Sequence, residues 1–291
     1  MSDKDAEHDL SDRRFYRANE EAEFSDAAPQ STPQTQHPAY RLAFRDTDFM
    51  LRDELRPVRF QLELLKPEML LDEAGVGSTL VMYGSARIPS TAEAETLVEN
   101  ASEESKGVAK NLAAKAKYYD EAYKLARMVS EKSIIEDGLR QFVVTTGGGP
   151  SIMEAGNKGA SDAGAESIGL NIVLPHEQAP NTFVTPYLSF QFHYFALRKM
   201  HFLLRAKAVA VFPGGFGTFD EFFELLTLIQ TGKMKPMPIL LFGKDFWTRV
   251  IDFEALADEG TISHADLDLF RWCETADEAW AHIAEFYELS R

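Results

Sequence analysis

The chain has 291 residues, 45% of them hydrophobic and 26% charged, with 46 acidic against 30 basic side chains and a formal net charge of -16. That length buries one sizeable core or two small ones, and the composition is ordinary for a soluble globular protein. The negative balance argues against a broad electrostatic grip on a nucleic acid polymer, while leaving room for a local basic pocket around one small phosphate.

Residues 1 to 40 are polar and acidic, with a Pro/Gln/Thr/Ser stretch from Pro29 to Pro38, and read as a disordered acidic arm. They lack the apolar core of a signal peptide, and no later run approaches the roughly 18 apolar residues that span a bilayer. No membrane contact and a cytoplasmic location are therefore expected. Residues 41 to 77 mix acidic, basic and apolar side chains, with Pro57 and Pro67 punctuating short helices, and read as a helical N-terminal extension in which Arg56 and Arg59 serve helix packing. From residue 78 to 291 strand and helix signals alternate. Thr79 to Tyr83 is a strand ended by Gly84 and Ser85, and residues 90 to 132 form an Ala/Glu/Lys-rich helical region. Phe142 to Thr145 is a strand followed by Gly147, Gly148 and Gly149, then a helix from Ser151 to about Ala163. Ser167 to Val173 is the next strand, leading into a Pro-rich loop from Pro175 to Pro186. Phe190, Phe192 and Tyr194 alternate as a strand does, and a helix then carries Arg198 and Lys199. Ala208 to Phe212 is a strand ended by Pro213 and the glycines 214, 215 and 217, before an apolar helix from Thr218 to Ile229. A strand at Pro238 to Phe242, a helix from Asp245 to about Ala257, a short strand near Leu269 to Trp272 and a last helix from Thr275 complete the chain. This order predicts an α/β fold: a Rossmann-like, doubly wound parallel sheet with helices on both faces, as one domain over residues 78 to 291. No internal repeat is visible.

Three glycine-bearing turns thus follow three strands, and in an open α/β sheet ligands sit at the carboxyl ends of the strands. Each turn alone has a purely geometric reading, since glycine often closes a strand-to-helix connection. Together they point to a nucleotide or sugar-phosphate site, because a glycine turn at a helix N-terminus aims unpaired N–H groups and the positive end of the helix dipole at one spot. No GxxxxGK[ST] is present, and the run at 147 reads GGGPSI, not GxGxxG, which points to a mononucleotide. Thr218 and Glu221 have the spacing of a helix capping box, as do Ser151 with Glu154 and Thr275 with Glu278. From spacing alone capping is the stronger reading of Glu154 and Glu221. What raises Glu221 is its place one turn beyond a phosphate cradle, where a carboxylate would face the sugar. Arg198 and Lys199 lie near a helix start, where a cation opposes the dipole, so they read either as a solvated or interface pair or as ligand contacts. His176, His193, His201 and His264 show no metal-ligand spacing, no GxSxG occurs, and the single cysteine, Cys273, reads as a buried structural thiol. No metal and no cofactor is expected.

The segment PGGFGTFDE (Pro213 to Glu221), preceded by ALRKM (Ala196 to Met200), resembles the paired motifs of the LOG family. Its members are cytokinin riboside 5'-monophosphate phosphoribohydrolases and bacterial nucleotide nucleosidases, often labelled lysine decarboxylases. TLVMYGSAR and TTGGGPSIMEAGNKGA match further landmarks, and the resemblance covers residues 78 to 288. The first 77 residues resemble the lead-in of longer bacterial forms. The resemblance implies that Arg198 and Glu221 are the catalytic pair, that Gly214, Gly215, Gly217 and Thr218 bind the 5'-phosphate, and that Gly84 and Ser85 lie nearby. Gly147, Gly148, Gly149, Glu154 and Lys199 complete the expected nucleotide-binding set. Compact members carry a cysteine-containing turn where this chain has Tyr83 to Arg87, and a glycine where it has Glu154; both departures lie close to the expected base and ribose pocket. The resemblance further implies a homodimer or higher homo-oligomer. The expected activity is hydrolysis of the N-glycosidic bond of a purine nucleoside 5'-monophosphate, AMP or an N6-modified AMP of cytokinin type, to free base and ribose 5-phosphate. The alternative is a non-catalytic nucleotide or molybdenum-cofactor-type carrier or sensor, since one fold serves both. A decarboxylase would need a Schiff-base lysine, and no lysine has an evident claim.

Overall fold

The computed structural model describes residues 15–27, 31–132, 134–175 and 179–289. The chain divides into two compact units, one up to Gln61 and one from Leu62 onward. The first unit holds short helices: α1 (Ala18–Ala27), α2 (Pro33–Gln36), α3 (Thr47–Met50) and the start of α4 (Arg56–Glu73). Local polar side chains close these helices. Thr32 and Thr35 form a capping box on α2, and the Asp46 carboxylate accepts the Phe49 N–H at the start of α3. Arg59 donates to the carbonyls of Met50 and Arg52 at 2.9 and 2.6 Å, the packing role read from the sequence. None of the unit's described residues is fully buried, so caps and ion pairs, not an apolar core, define its local structure. The expected disordered arm falls partly on residues 1–14 and 28–30, outside the described residues.

The second unit takes the rest of α4 and a seven-stranded sheet. Its strands are β1 (Thr79–Tyr83), β4 (Val143–Thr146), β5 (Ile168–Ile172), β6 (Ser189–Phe192), β7 (Ala206–Val211), β8 (Ile239–Phe242) and β9 (Arg271–Cys273). Between β1 and β4 the pairs β2 (Ile135–Glu136) and β3 (Leu139–Arg140) form a separate antiparallel hairpin. The hairpin turns on Asp137 and Gly138, both at positive φ, an Asp-Gly signal in the stretch between the expected helical region and the next strand, to which the sequence reading assigned no element. The large sheet runs β6-β5-β4-β1-β7-β8-β9, parallel throughout. The connecting helices are α5 (Thr91–Glu99), α6 (Lys106–Ala113), α7 (Ala116–Glu131), α8 (Ile152–Asp162), α9 (Phe195–Leu204), α10 (Phe216–Gln230), α11 (Lys244–Val250), α12 (Phe253–Asp258) and α13 (Ala276–Phe286). The doubly wound α/β fold read from the sequence is therefore the observed one. The single helix expected from Asp245 to Ala257 is two, because the Asp252 side chain accepts the Ala255 N–H at 3.0 Å and starts α12 afresh.

Apolar strands explain the parallel sheet. β1, β4, β5 and β8 are buried along their whole length, as strands covered on both faces must be. The core under them joins Leu80 and Met82 to Leu125, Ile152, Phe212, Phe242 and Trp280. Winding outward from β1, the chain goes first to β4, β5 and β6 on one side and then to β7, β8 and β9 on the other. The order reverses at β1, and the crevice of an open α/β sheet lies at that reversal. Among the described residues no helix is long and apolar enough to cross a membrane.

Candidate functional site

The three glycine turns follow β1, β4 and β7, which are neighbours in the sheet with β1 in the middle. Ser85 ties them together. Its N–H donates to the Pro213 carbonyl at 3.1 Å, and its own carbonyl accepts the Ile152 N–H at 3.3 Å at the start of α8. Close packing demands glycine at several of these positions. A Cβ on Gly84 would press into Ile152, and one on Gly214 would collide with the Thr218 side chain. Gly148 sits at φ +73 in a turn held from behind by asparagines. Asn181 donates to the carbonyls of Gly148 and Gly149 at 3.2 and 3.0 Å, and Asn157 accepts from both Thr146 and Asn181.

At the third turn Gly215 is the N-cap of α10, and no side chain caps that end. The N–H groups of Phe216, Gly217 and Thr218 therefore begin a helix without intrahelical acceptors, the arrangement that favours an anion. Open space surrounds the Cα atoms of Gly215 and Gly217. Thr218 is the third residue of the helix, so Thr218 and Glu221 are not a capping box. Ser151 is no cap for Glu154 either: it lies at φ +65, and its hydroxyl donates to the Ile88 carbonyl at 2.5 Å. Only Thr275 and Glu278 form the box that their spacing suggests. The capping reading fails at Glu221 because the glycine turn already ends the strand and α10 starts before Thr218.

Freed of a cap, Glu221 faces Arg198 on α9. The guanidinium Nη1 lies 3.3 Å from the carboxylate, with side-chain exposures of 11% and 14%. Arg198 is held from other directions as well. Its Nε donates to the Leu170 carbonyl at 2.7 Å, and its guanidinium carbon sits 5.0 Å above the Phe202 ring. A Cβ at Gly147 would run into the guanidinium, so that glycine makes room for Arg198 at the end of β4. The reading of Arg198 as part of a solvated pair gives way to a buried contact. Burial pushes the Glu221 carboxyl up to about 7, against the opposing pull of Arg198. Tyr83, at the end of β1 and edge-on to Phe202, has its hydroxyl raised well above the usual range by burial and by the Glu221 charge.

Not every expected residue joins this group. Lys199 turns away from the turns, with its ammonium 2.9 Å from Asp220 and 3.1 Å from Glu224. It lines a cavity of about 600 Å³ with Met200, Leu203, Leu228 and Tyr287. Glu154 is half-buried in the first turn of α8, and its charge raises the Tyr119 hydroxyl along with burial. Cys273 is buried, its thiol pushed up to about 12 by desolvation, as a structural thiol would be. His176 lies outside the described residues. The asparagines 157, 171 and 181, Tyr83 and Phe202 had no place in the sequence-based site. The available signal was a polar Asn171 inside the otherwise apolar run from Ile168 to Val173.

A family model described as "possible lysine decarboxylase" matches residues 153–283, a span that includes Arg198, Glu221 and the glycine turn before α10. The cytokinin riboside 5'-monophosphate phosphoribohydrolase LOG2 of Arabidopsis thaliana is 28% identical over 153 residues, which are 51% of this chain and 67% of that protein. Among solved structures, the structural-genomics target TM1055 is 17% identical, with 72% of this chain and 99% of that chain covered and a TM-score of 0.45. The Moco carrier protein of Chlamydomonas reinhardtii is 18% identical, with 72% and 98% covered and a TM-score of 0.42. With the PGGFGTFDE turn in place at the end of β7 and the RK pair on the helix before it, the chain is similar to the LOG and lysine-decarboxylase-like proteins over the part that carries these motifs.

Proposed function

We propose that the crevice at the ends of β4, β1 and β7 binds a nucleoside 5'-monophosphate and hydrolyses its N-glycosidic bond. The observation that carries this reading is the contact between Arg198 and Glu221 beside an uncapped helix start, with the Glu221 carboxyl raised to about 7. As the base departs, positive charge builds on C1' and the ring oxygen. An ionised carboxylate under the sugar would stabilise that charge or activate the attacking water, and a value near neutrality suits either task. The N–H groups at Phe216 to Thr218 would hold the 5'-phosphate, with Gly215 and Gly217 leaving its approach open. Arg198 would fix the substrate relative to Glu221. Gly84, Ser85 and the turn at Gly147 to Gly149 would wall the ribose, and Glu154 at the start of α8 would border the base. A purine base, adenine or an N6-modified adenine, is the proposed leaving group, and a homodimer or higher homo-oligomer is the proposed assembly.

The test is release of free base from AMP, GMP, CMP, UMP, IMP and N6-isopentenyl-AMP, with adenosine as control and Glu221→Gln as blank. Release from a monophosphate that vanishes in the variant supports the reading and names the base. Equal cleavage of adenosine and AMP would overturn the phosphate cradle. A nucleotide that raises the melting temperature without being cleaved would favour a carrier or sensor.

A further inference from the structure

We propose that Glu63, on α4, is a positioning residue for Arg198, and that α4 beyond residue 61 serves as a strut that sets the helix bearing this arginine. This inference rests on the proposed role of Arg198. The Glu63 carboxylate accepts the N–H of His193 at 2.9 Å and of Tyr194 at 3.2 Å, the last two residues before α9 begins. The Tyr194 N–H belongs to the N-cap residue and the His193 N–H lies just before it, and a negative charge there also complements the dipole. Tyr194 then passes the constraint on, because its carbonyl accepts the Arg198 N–H at 3.1 Å. One carboxylate thus fixes the turn on whose last residue the arginine stands.

The same stretch of chain grips α9 at two further points. The buried His201 ring places Nε2 3.2 Å from the Glu63 carbonyl and Nδ1 3.5 Å from the Glu68 carboxylate. At the far end of α9, Arg205 reaches Glu68 at 3.0 Å, Asp72 at 2.7 Å and the Val76 carbonyl at 2.6 Å. Start, middle and end of a ten-residue helix are therefore tied to residues 63 to 76. Between these ties Arg198 meets Leu170, Gly147 and Glu221, where a small shift of the helix would part the guanidinium from the carboxylate. The three other site elements are strand ends braced by the sheet. Without Glu63 the first turn of α9, reached through a short segment after β6, loses the carboxylate that holds the N–H groups of His193 and Tyr194.

The experiment pairs Glu63→Ala and Glu63→Gln with Arg198→Ala on the full chain. Positioning predicts a fall in kcat of about ten- to a hundredfold for Glu63→Ala, with KM changed less, since misplacement by an ångström costs on that scale. Glu63→Gln, which keeps one neutral acceptor, should recover part of the loss. In the Arg198→Ala background, Glu63→Ala should add nothing. A full further loss there would overturn the proposal, because Glu63 would then act by another route. Amide hydrogen exchange gives a readout that does not need catalysis: Glu63→Ala should speed exchange in residues 193–200 and leave β7 and α10 unchanged. Unchanged exchange in 193–200 refutes the strut even if the nucleosidase reading stands. Faster exchange there, in a protein that cleaves no monophosphate, supports the strut while the reading of the activity fails.

Discussion

Replacing Glu221 by glutamine tests the central electrostatic claim through stability as well as activity. The carboxyl is buried, and its value is raised from 4.5 to about 7 by desolvation, with Arg198 opposing. A folded-state value above the unfolded one means that the native protein binds this proton more tightly. The stabilisation is therefore complete below 4.5 and is lost as pH rises through about 7. The difference in protonation free energy amounts to roughly 3 kcal/mol. Glutamine keeps the shape and has no proton to lose, so its stability relative to wild type should climb by about 3 kcal/mol across this window and stay flat above it. Urea unfolding of both proteins at pH values from below 4.5 to above 7 measures that climb. Since either chemical role requires the ionised form, kcat/KM of the wild type should have an acid limb with its midpoint near 7. A stability difference that does not vary with pH, together with an acid limb in the ordinary carboxylate range, would refute the reasoning.

Arg198→Ala removes the cation that holds the Glu221 value down, so any residual activity should show its acid limb at higher pH than wild type, as a pH series on the variant would record. Gly217→Ala meets open space and replaces a poor helix former inside α10, so the melting temperature should hold or rise while monophosphate affinity falls, measured by calorimetry. Gly148→Ala, by contrast, places a side chain at φ +73 against Asn171 and should lower the melting temperature by several degrees, for a cost of about 1–3 kcal/mol. Asn157→Ala leaves Thr146, Ser167 and Asn181 without a shared partner and should cost about 1–3 kcal/mol, seen as a lower urea midpoint with looser binding. The Cys273 thiol, buried and raised to about 12, should resist alkylation at neutral pH until the protein unfolds, which a timed thiol assay with and without urea would show.

What the sequence displayed of this fold follows from which signals are local. β1 is read from Thr79 to Tyr83 with the bounds it has, because a five-residue apolar run ending in glycine admits little else. The three glycine turns are equally local, and their meeting at β4, β1 and β7 follows from the reversal of strand order, which alternation of elements already implies. The Asp-Gly hairpin was also local, but its strands are two residues each, too short for an alternation to show. The α11 to α12 break turned on one aspartate. What could not be read is long-range. Nothing near Glu63 in the sequence announces that its carboxylate lies at the start of a helix 130 residues away, and the asparagine contacts behind Gly148 join three separate segments.

The choice between a capping and a chemical role for Glu221 shows where local reasoning ends. The spacing of Thr218 and Glu221 is that of a capping box, and a box would have kept the carboxylate at the helix end, satisfying N–H groups and holding its value low. With Gly215 as N-cap, α10 begins at Phe216, so Glu221 lies in the second turn, and its side chain meets Arg198 in the crevice. There it gains one arginine contact and loses most of its water, an exchange that leaves its ionised form less stable than in the unfolded chain. A helix that only had to fold would be better served by a neutral or apolar side chain at this position. A carrier that only had to hold a phosphate would be served by the glycine turn and the helix start alone. Under the proposed chemistry the cost has a use: a carboxylate that changes charge near neutrality, set against a fixed guanidinium, stands ready when positive charge develops on the sugar.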